Sequence, residues 1–229
     1  RKTEEFGVIV CAKTIRNCIH KRILNLTEKD MIYKKEYKEK NKEKIHCDKV
    51  PAEKSIDFRP KEANERSEYG HWEGDLVVGK EGKGAALLTF TERMTREEII
   101  FKIPSKHAIN VAKSIDKLEK KYKKEFKNKF KTITFDNGGE FRDYEALEKS
   151  YDKRKKEARL QVYYAHPYRS GERGSNENAN RLIRRFIPKG TVITNISEEY
   201  IKEIENWINN LLRPMFGFKS SLEMAKIVS

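Results

Sequence analysis

The sequence predicts an α/β fold in which a mixed, five-stranded sheet is flanked by helices. Residues 71–103 contain three apolar segments of strand type, separated by turn residues. Two further short apolar segments, at 131–139 and 160–167, each follow a segment with helical composition or periodicity. The resulting order βββαβαβαα is typical of helices packed on a sheet of mixed strand direction.

The first three strands are predicted to form an antiparallel meander. They are HWEGDLVVG (71–79), GAALLTFTE (84–92) and REEIIFKI (96–103), with Gly-rich and polar corners between them. The corner GKEGKG (79–84) lacks the G-x-x-x-x-G-K-[ST] spacing of a phosphate-binding loop, and it precedes a strand. We therefore interpret this corner as a hairpin turn.

The elements after the meander alternate between helix and strand. Apolar side chains recur on one helical face of 106–125, and KTITFDNGG (131–139) ends in an Asn-Gly turn. The pattern predicts, in order, a helix at 106–125, a strand at 131–139, a highly charged helix at 142–158, a strand at 160–167, helices at 175–187 and 197–212, and a short terminal helix.

The part of the chain before the sheet has a different composition. Residues 8–24 carry apolar positions at helical spacing, whereas the following stretch is dominated by Lys and Glu and keeps no period. The first residue is Arg rather than Met, so we treat the chain as a fragment. We divide it into an N-terminal helical segment (1–24), a charged linker (25–65) and a folded core (66–229).

Composition restricts the class of partner. The chain has 229 residues, 37% apolar and 38% charged, and 50 Lys and Arg against 36 acids give a net charge of +14. Such an excess indicates a polyanionic partner, either nucleic acid or an anionic membrane surface. No run of about 18 apolar residues is present, so no membrane span is expected. Three cysteines without C-x-x-C spacing and five histidines without H-x₃₋₅-H spacing make a disulfide framework or a structural zinc site improbable.

Four acidic residues stand out by position. Alternation in the first strand places Glu73 and Asp75 on the face opposite Trp72, and Asp136 ends the fourth strand at its Asn-Gly turn. Glu177 lies in the first turn of its predicted helix, and arginines follow at i+4 and i+7 on the same face. Each position taken alone has an ordinary structural explanation, as a rim charge, a turn residue or a residue that stabilises the helix dipole.

Together these residues resemble a known family. At WEGD, TFDNGGEF and AHPYRSGERGSNENANRLIRRFIPKGT the chain resembles bacterial transposases of the insertion-sequence-thirty family. The resemblance covers about residues 66–229 and implies an RNase H-like catalytic domain of the retroviral-integrase type. The segment TIRNCIHKRIL within residues 1–24 resembles the end of that family's N-terminal helix-turn-helix region, so residues 1–24 are expected to be its remnant.

The resemblance also implies the site and its cofactor. Carried over motif by motif, Asp75, Asp136 and Glu177 form a catalytic triad that holds Mg²⁺ or Mn²⁺, with two ions when DNA is bound. Glu73, Asn137 and Asn176 are expected to support this triad. Asn176, Asn178 and Asn180 are expected either to fix the helix start or to contact the strand near the cut, and for Asn176 the expected role is a helix cap. The residues expected to contact DNA phosphates are Arg173, Arg181, Arg184, Arg185 and Lys189.

The implied function is metal-dependent DNA cleavage and strand transfer. The expected partners are the terminal inverted repeats of the element, the target DNA and further copies of the chain in a synaptic complex, in a bacterial cytoplasm at the nucleoid. Two alternatives stay open: an inactive, truncated transposase that acts as a DNA-binding repressor, and a nuclease of the same fold. The chain is expected to depart from the family in four places. There are 40 residues between the second and third acids, with a surplus near 149–159; Gly171 stands where the family has Trp; Pro214 is displaced from its usual position; and most of the N-terminal DNA-reading module is missing.

Overall fold

The computed structural model describes residues 11–26, 51–80, 84–167 and 169–228. Contacts divide the chain into two compact units, the described residues 11–26 in one and those from 51 onward in the other. The first unit contains helix α1 (Ala12–His20), inside the helix predicted over 8–24. Most of the predicted linker, 27–50, and the tip of the predicted hairpin turn, 81–83, lie outside the described residues.

The second unit is built on one five-stranded sheet. Its strands are β1 (His71–Val78), β2 (Ala86–Glu92), β3 (Glu98–Ile103), β4 (Thr132–Phe135) and β5 (Gln161–Tyr164), in the order β3-β2-β1-β4-β5. The first three strands are antiparallel neighbours, and β4 and β5 run parallel to β1. The predicted mixed sheet and its initial meander are thereby confirmed.

Helices cover both faces of this sheet. They are α2 (Lys61–Glu65), α3 (Ala108–Tyr122), α4 (Phe126–Lys129), α5 (Tyr144–Glu148), α6 (Gly174–Phe186), α7 (Glu198–Asn210) and α8 (Ser221–Val228). Trp72 and Phe135 lie in an apolar core with α3 and α5, whereas Val77, Leu87 and Ile100 on the other face pack against α6 and α7. Strand alternation produces this division, because side chains two residues apart share a face.

The helix predicted at 142–158 is wrong beyond residue 148. Helix α5 begins after Asp143, whose side chain accepts a hydrogen bond from the Ala146 backbone N–H, and it ends at Glu148. Residues 151–158 are almost all exposed, so no apolar face extends the helix along the core. Both ends of the following segment are anchored instead: Ser150 donates to Glu119 at 2.5 Å, and buried Arg159 donates to Glu119 at 3.2 Å.

Residues 51–65, which the sequence analysis places in the charged linker, contact the sheet. Ser55 forms an isolated bridge with Tyr164 of β5, and the buried Arg59 side chain donates to Thr134 of β4 at 3.0 Å. Ala63 in α2 is fully buried and its carbonyl accepts from Arg93 at 2.7 Å. Among the described residues, no helix is long and apolar enough to span a membrane.

Candidate active site

Two of the three predicted acids meet where β1 and β4 lie side by side. The parallel register pairs Trp72 with Ile133 and Glu73 with Thr134, so continuing it by two residues brings Asp75 beside Asp136. Both aspartates lie on the face opposite the Trp72 core, because alternate residues of a strand share a face. This is the face that α6 covers.

The Arg173 guanidinium lies between these two carboxylates. Its Nη2 donates to Asp136 Oδ2 at 3.1 Å, and its Nη1 lies 3.8 Å from Asp75 Oδ1. The same Nη1 donates to the Gly74 carbonyl at 3.0 Å. One half-buried guanidinium therefore contacts both carboxylates and the backbone carbonyl that precedes Asp75.

Asp75 is held more firmly than Asp136. Its Oδ2 accepts from Asn180 Nδ2 at 2.6 Å and its Oδ1 accepts from the Leu76 backbone N–H at 2.9 Å. Burial raises the pKa of Asp75, and the nearby Asp136 charge raises it further, while Arg173 acts to lower it. Asp136 accepts from the Gly138 N–H at 2.9 Å, and its side chain is 43% exposed, which leaves its oxygens accessible.

Glu177 is not brought together with the two aspartates. Helix α6 turns Asn176 and Asn180 toward the sheet, and Glu177, one residue past Asn176, is exposed. Within the part of the chain that the structure describes, its side chain makes no hydrogen bond or ion pair with Asp75 or Asp136. Over the same residues, no three His, Cys, Asp or Glu side chains are grouped so that they could hold a metal ion.

Glu73 and Asn176 form a buried link between β1 and α6. Glu73 is fully buried, pairs with Arg93 and accepts from the Asn176 backbone N–H at 3.0 Å. Asn176 Oδ1 accepts from Thr91 at 2.8 Å. The prediction that Asn176 caps its helix is wrong, because α6 begins two residues earlier at Gly174 and has no side-chain cap. Both side chains fix the start of the helix against the sheet.

Of the remaining predicted residues, some bond to the backbone of the fold and the others are exposed to solvent. Asn137 donates to the Ala165 carbonyl at 2.7 Å, which ties the turn after β4 to the end of β5. Arg184 donates to the Val78 carbonyl at 2.8 Å, and burial lowers its pKa. Arg181, Arg185 and Lys189 are exposed on or just after α6, and Arg181 donates to Asn178 at 2.9 Å.

Two contacts that position this site were not predicted from the sequence, although Asn180 itself was expected to lie near the cut. Asn180 binds Asp75 directly, and the signal was present as the i+4 spacing from Asn176, which puts both amides on one helical face. His166 lies between Glu172 at 2.9 Å and Asp57 at 3.0 Å, and the Glu172 hydrogen bond raises its pKa. This contact holds the segment that leads into Arg173, and nothing in the sequence pattern joins these three residues.

The two aspartates fit a divalent cation, and the third acid is not assembled with them. Carboxylate oxygens are the ligands that Mg²⁺ prefers, usually one or two of them completed by water and phosphate oxygens. Asp75 and Asp136, on adjacent strands, already share one positive group. That arrangement shows that both carboxylates can be directed at a single cation.

The chain is similar to a known domain family and to several insertion-sequence transposases. Residues 65–170 match the integrase core domain family. A probable transposase for the insertion-like sequence element IS1161 of Streptococcus salivarius is 33% identical over 226 residues, which are 96% of this chain and 60% of the relative. The transposase for IS4351 of Bacteroides fragilis is 38% identical over 178 residues, 77% of this chain and 51% of the relative.

A more distant relative and one solved structure extend the comparison. The transposase InsI for IS30C of Escherichia coli K12 is 28% identical over 169 residues, 74% of this chain and 41% of the relative. The chain thus spans between about two fifths and three fifths of the length of these relatives. A chain in the cryo-EM structure of the simian T-cell lymphotropic virus intasome with PP2A regulatory subunit B56 gamma aligns over 68% of this chain and 54% of its own length, at 14% identity and a TM-score of 0.49.

Proposed function

The chain is a relative of the IS30-type insertion-sequence transposases and has an RNase H-like integrase core, and from this relationship we propose that it cleaves and joins DNA strands at insertion-sequence ends. The observation that carries the proposal is the meeting of Asp75, in the middle of β1, and Asp136, just after the end of the parallel strand β4, around one shared positive group. We assign this activity to residues 66–229, and propose that residues 1–24 belong to the end of a helix-turn-helix region.

The proposed chemistry uses Asp75 and Asp136 as the fixed ligands of Mg²⁺ or Mn²⁺. Such an ion, when bound, activates an attacking oxygen and stabilises the oxygen that leaves phosphorus. Asn180 and the Leu76 N–H orient Asp75, and the Gly138 N–H orients Asp136. Glu177 is proposed as the third ligand, which requires its exposed side chain to swing toward the two aspartates when metal and DNA are present.

DNA would approach along the exposed side of α6. Arg181, Arg185 and Lys189 are exposed there, so their charges can reach phosphate groups. Arg184 is proposed to act less directly, because its guanidinium already binds the Val78 carbonyl. Assembly of several copies around two DNA ends, and residence at the nucleoid of a bacterial cytoplasm, belong to this proposal as well.

A strand-cleavage assay tests the proposal. The full chain is mixed with Mg²⁺ or Mn²⁺ and one of three labelled substrates: a duplex that carries the terminal sequence flanking its gene, a random duplex, and an RNA–DNA hybrid. We expect cleavage and joining of the end-containing duplex, and neither reaction in a chelator. Binding without cleavage would indicate a repressor, and cleavage of the hybrid without joining would indicate a nuclease.

Two matched variants make this assay specific for the site. Asp136→Asn should abolish cleavage while DNA is still bound, because the exposed basic side chains are unchanged. Its free energy of unfolding without metal should change by less than about 1 kcal/mol, because ion pairs of partly exposed side chains contribute little. Asp152→Asn alters an aspartate of the 149–160 segment and should cleave as the parent chain does. Full activity of Asp136→Asn would exclude the proposed site.

A further inference from the structure

Arg173 occupies a position that is unusual for a residue expected to bind DNA. It is the residue that immediately precedes α6, and its side chain is only 16% exposed. Its two terminal nitrogens contact Asp136, Asp75 and the Gly74 carbonyl, at 3.1, 3.8 and 3.0 Å. A guanidinium satisfied in this way is not available to a phosphate group at the same time.

The contact has an electrostatic purpose in the absence of metal. Asp75 and Asp136 lie side by side, and Asp75 is half-buried, so their negative charges would repel one another at reduced dielectric screening. A single positive group between them offsets this repulsion. The Gly74 carbonyl adds a third acceptor that fixes the guanidinium plane, and five donors in a rigid fork suit Arg to this task better than Lys.

We propose that Arg173 is a built-in counter-ion that holds Asp75 and Asp136 in place in the metal-free protein and is displaced when a divalent cation binds. The inference rests on the proposed function in one respect, since it takes these two aspartates as the ligands of that cation. Arg173 and the cation compete because both need the same side of the two carboxylates. In the metal-free protein Arg173 is therefore a positioning residue.

The backbone around Arg173 permits such a displacement. Gly171 lies two residues before Arg173 and Gly174 directly after it. A Cβ added at either glycine would meet nothing within 4 Å. The segment Ser170–Arg173 is a single short 3-10 turn that leads into α6. Once released, Arg173 would stand at the N-terminal end of α6, on the side of the site where DNA is proposed to lie. Metal binding would then free the positive charge that the sequence analysis expects to contact a phosphate.

The affinity of the metal-free chain for Mn²⁺, measured by electron paramagnetic resonance, tests this inference. Arg173→Gln removes the competing positive charge, and with it the state of the protein that cannot bind the metal. We therefore expect Mn²⁺ to bind about tenfold more tightly. Arg169→Gln removes the same charge four residues earlier, from a side chain that pairs with Glu172 at 3.6 Å, and should leave the affinity within about twofold. Arg173→Lys should lie between the parent and the Gln variant.

The possible outcomes separate this inference from the proposed function. Unchanged or weaker binding in Arg173→Gln would overturn the inference, because a purely structural residue would disorder the ligands when it is removed. Equal tightening in Arg169→Gln would also overturn it, since net charge alone would then explain the effect. If the parent binds Mn²⁺ and Asp136→Asn does not, the metal site stands whatever Arg173 does. If neither the parent nor Arg173→Gln binds Mn²⁺, both proposals fail.

A second measurement uses the parent chain and does not depend on how well a variant folds. The ¹⁵Nε resonance of Arg173, identified by its loss in Arg173→Lys, should move as Mg²⁺ is added and stop moving at saturation. The same resonance should not respond in Asp136→Asn. A resonance that stays fixed while Mg²⁺ saturates the parent would show that the guanidinium remains in place, and the inference would be wrong.

Discussion

Gly74 is the residue that allows β1 and β4 to approach closely enough to pair their aspartates. A Cβ at this position would overlap the Phe135 ring, which is fully buried and belongs to the residue immediately before Asp136. That ring cannot move aside easily, because it stacks on Phe141 with ring centroids 4.4 Å apart and meets Phe90 edge-on at 6.4 Å. The glycine in WEGD is thus required by packing under the site.

We expect Gly74→Ala to lower the free energy of unfolding by about 1–3 kcal/mol, the usual cost of overpacking a close-packed core. Urea unfolding followed by Trp fluorescence measures this. Gly139→Ala is the matched control, because a Cβ there meets nothing within 4 Å, and it should change stability by less than about 0.5 kcal/mol. Equal stability of Gly74→Ala and the parent would show that Phe135 has room to shift.

Glu98 is a second residue whose surroundings have a measurable consequence. It is almost fully buried on β3; its Oε2 lies 2.6 Å from the Thr91 hydroxyl, and its Oε1 has no hydrogen-bond partner among the described residues. Burial raises its pKa well above the ordinary value, and the charge of Glu205 raises it further, while Arg213 acts in the opposite direction. The carboxyl group is therefore expected to be neutral in the folded chain where it is ionised in the unfolded chain.

The sign of the pH dependence follows from this difference. Between the ordinary carboxyl pKa and the raised one, the folded chain binds one more proton than the unfolded chain, so stability falls as pH rises, by at most about 1.4 kcal/mol per unit. Glu98→Gln keeps the shape and removes the titration. We expect it to match the parent below the ordinary carboxyl pKa and to be more stable by a margin that grows as the pH rises from that value toward the raised pKa. A constant difference in urea unfolding across that range would contradict the assignment.

At the scale of elements, α7 does more than cover the sheet. Strand β3 is at the edge of the sheet, and side chains of α7 occupy its free backbone groups: Asn209 accepts from the Glu98 N–H at 2.7 Å and donates to the Glu98 carbonyl at 2.8 Å. Glu205 accepts from the Ile100 N–H at 2.8 Å. Unpaired edge strands invite pairing with other chains, and this helix closes that edge with its own polar side chains.

Asn209→Ala should therefore lower the free energy of unfolding more than most substitutions of a polar helix residue do. It leaves the N–H and the carbonyl of Glu98 without partners in a buried place, and we expect the free energy of unfolding to fall by about 2–4 kcal/mol. Asn210→Ala removes the neighbouring amide, which is exposed and bonds only to Asn206 of the same helix at 2.8 Å, and it should cost less than about 1 kcal/mol. Similar urea midpoints for the two variants would refute the role given to Asn209.

At the scale of the whole molecule, the sheet was predictable because its strands carry a strong local signal. β1 to β5 all fall within the segments predicted from apolar alternation and turn residues, and the strand order follows from a meander joined to parallel crossovers. The helix at 142–158 was over-extended because composition alone does not show where an apolar face ends. Residues 51–65 were assigned to the linker because their few buried side chains, such as Ile56 and Ala63, keep no period.

The candidate site was predictable in its residue types and less so in its contacts. Asp75 and Asp136 could be placed together because each belongs to a strand whose neighbour and direction follow from the fold. The contact of Arg173 with both acids could not be foreseen, because it depends on where α6 begins, and a shift of one residue in a helix turns a side chain by about 100°. The same rotation leaves Glu177 exposed while Asn176 and Asn180 face the sheet.

Two sets of exposed basic side chains in the described residues lie away from one another. One set, Arg181, Arg185 and Lys189, lies on or just after α6, beside the candidate site. The other set lines a cavity of about 450 Å³ between the end of α3 and the 149–160 segment, and includes Lys123, Lys127 and Lys156. The segments that line this cavity precede β4 and β5, whereas Asp136 follows β4. The cavity and the candidate site therefore lie at opposite ends of β4.

DNA affinity should depend steeply on salt, and mainly through the first of these sets. Each phosphate contact contributes about −0.9 to the slope of log K against log salt concentration, because neutralised phosphates release counter-ions. The triple variant Arg181→Gln, Arg185→Gln, Lys189→Gln should therefore flatten the slope by about two to three. The variant Lys123→Gln, Lys127→Gln, Lys156→Gln loses the same net charge and should flatten it by less than about one. Fluorescence anisotropy of a labelled duplex between 50 and 300 mM salt, about the range where such slopes are linear, measures both. Equal flattening of the slope by the two variants would mean that net charge alone decides binding. A larger effect of the second variant would place the DNA at the lysine-lined cavity, away from Asp75 and Asp136.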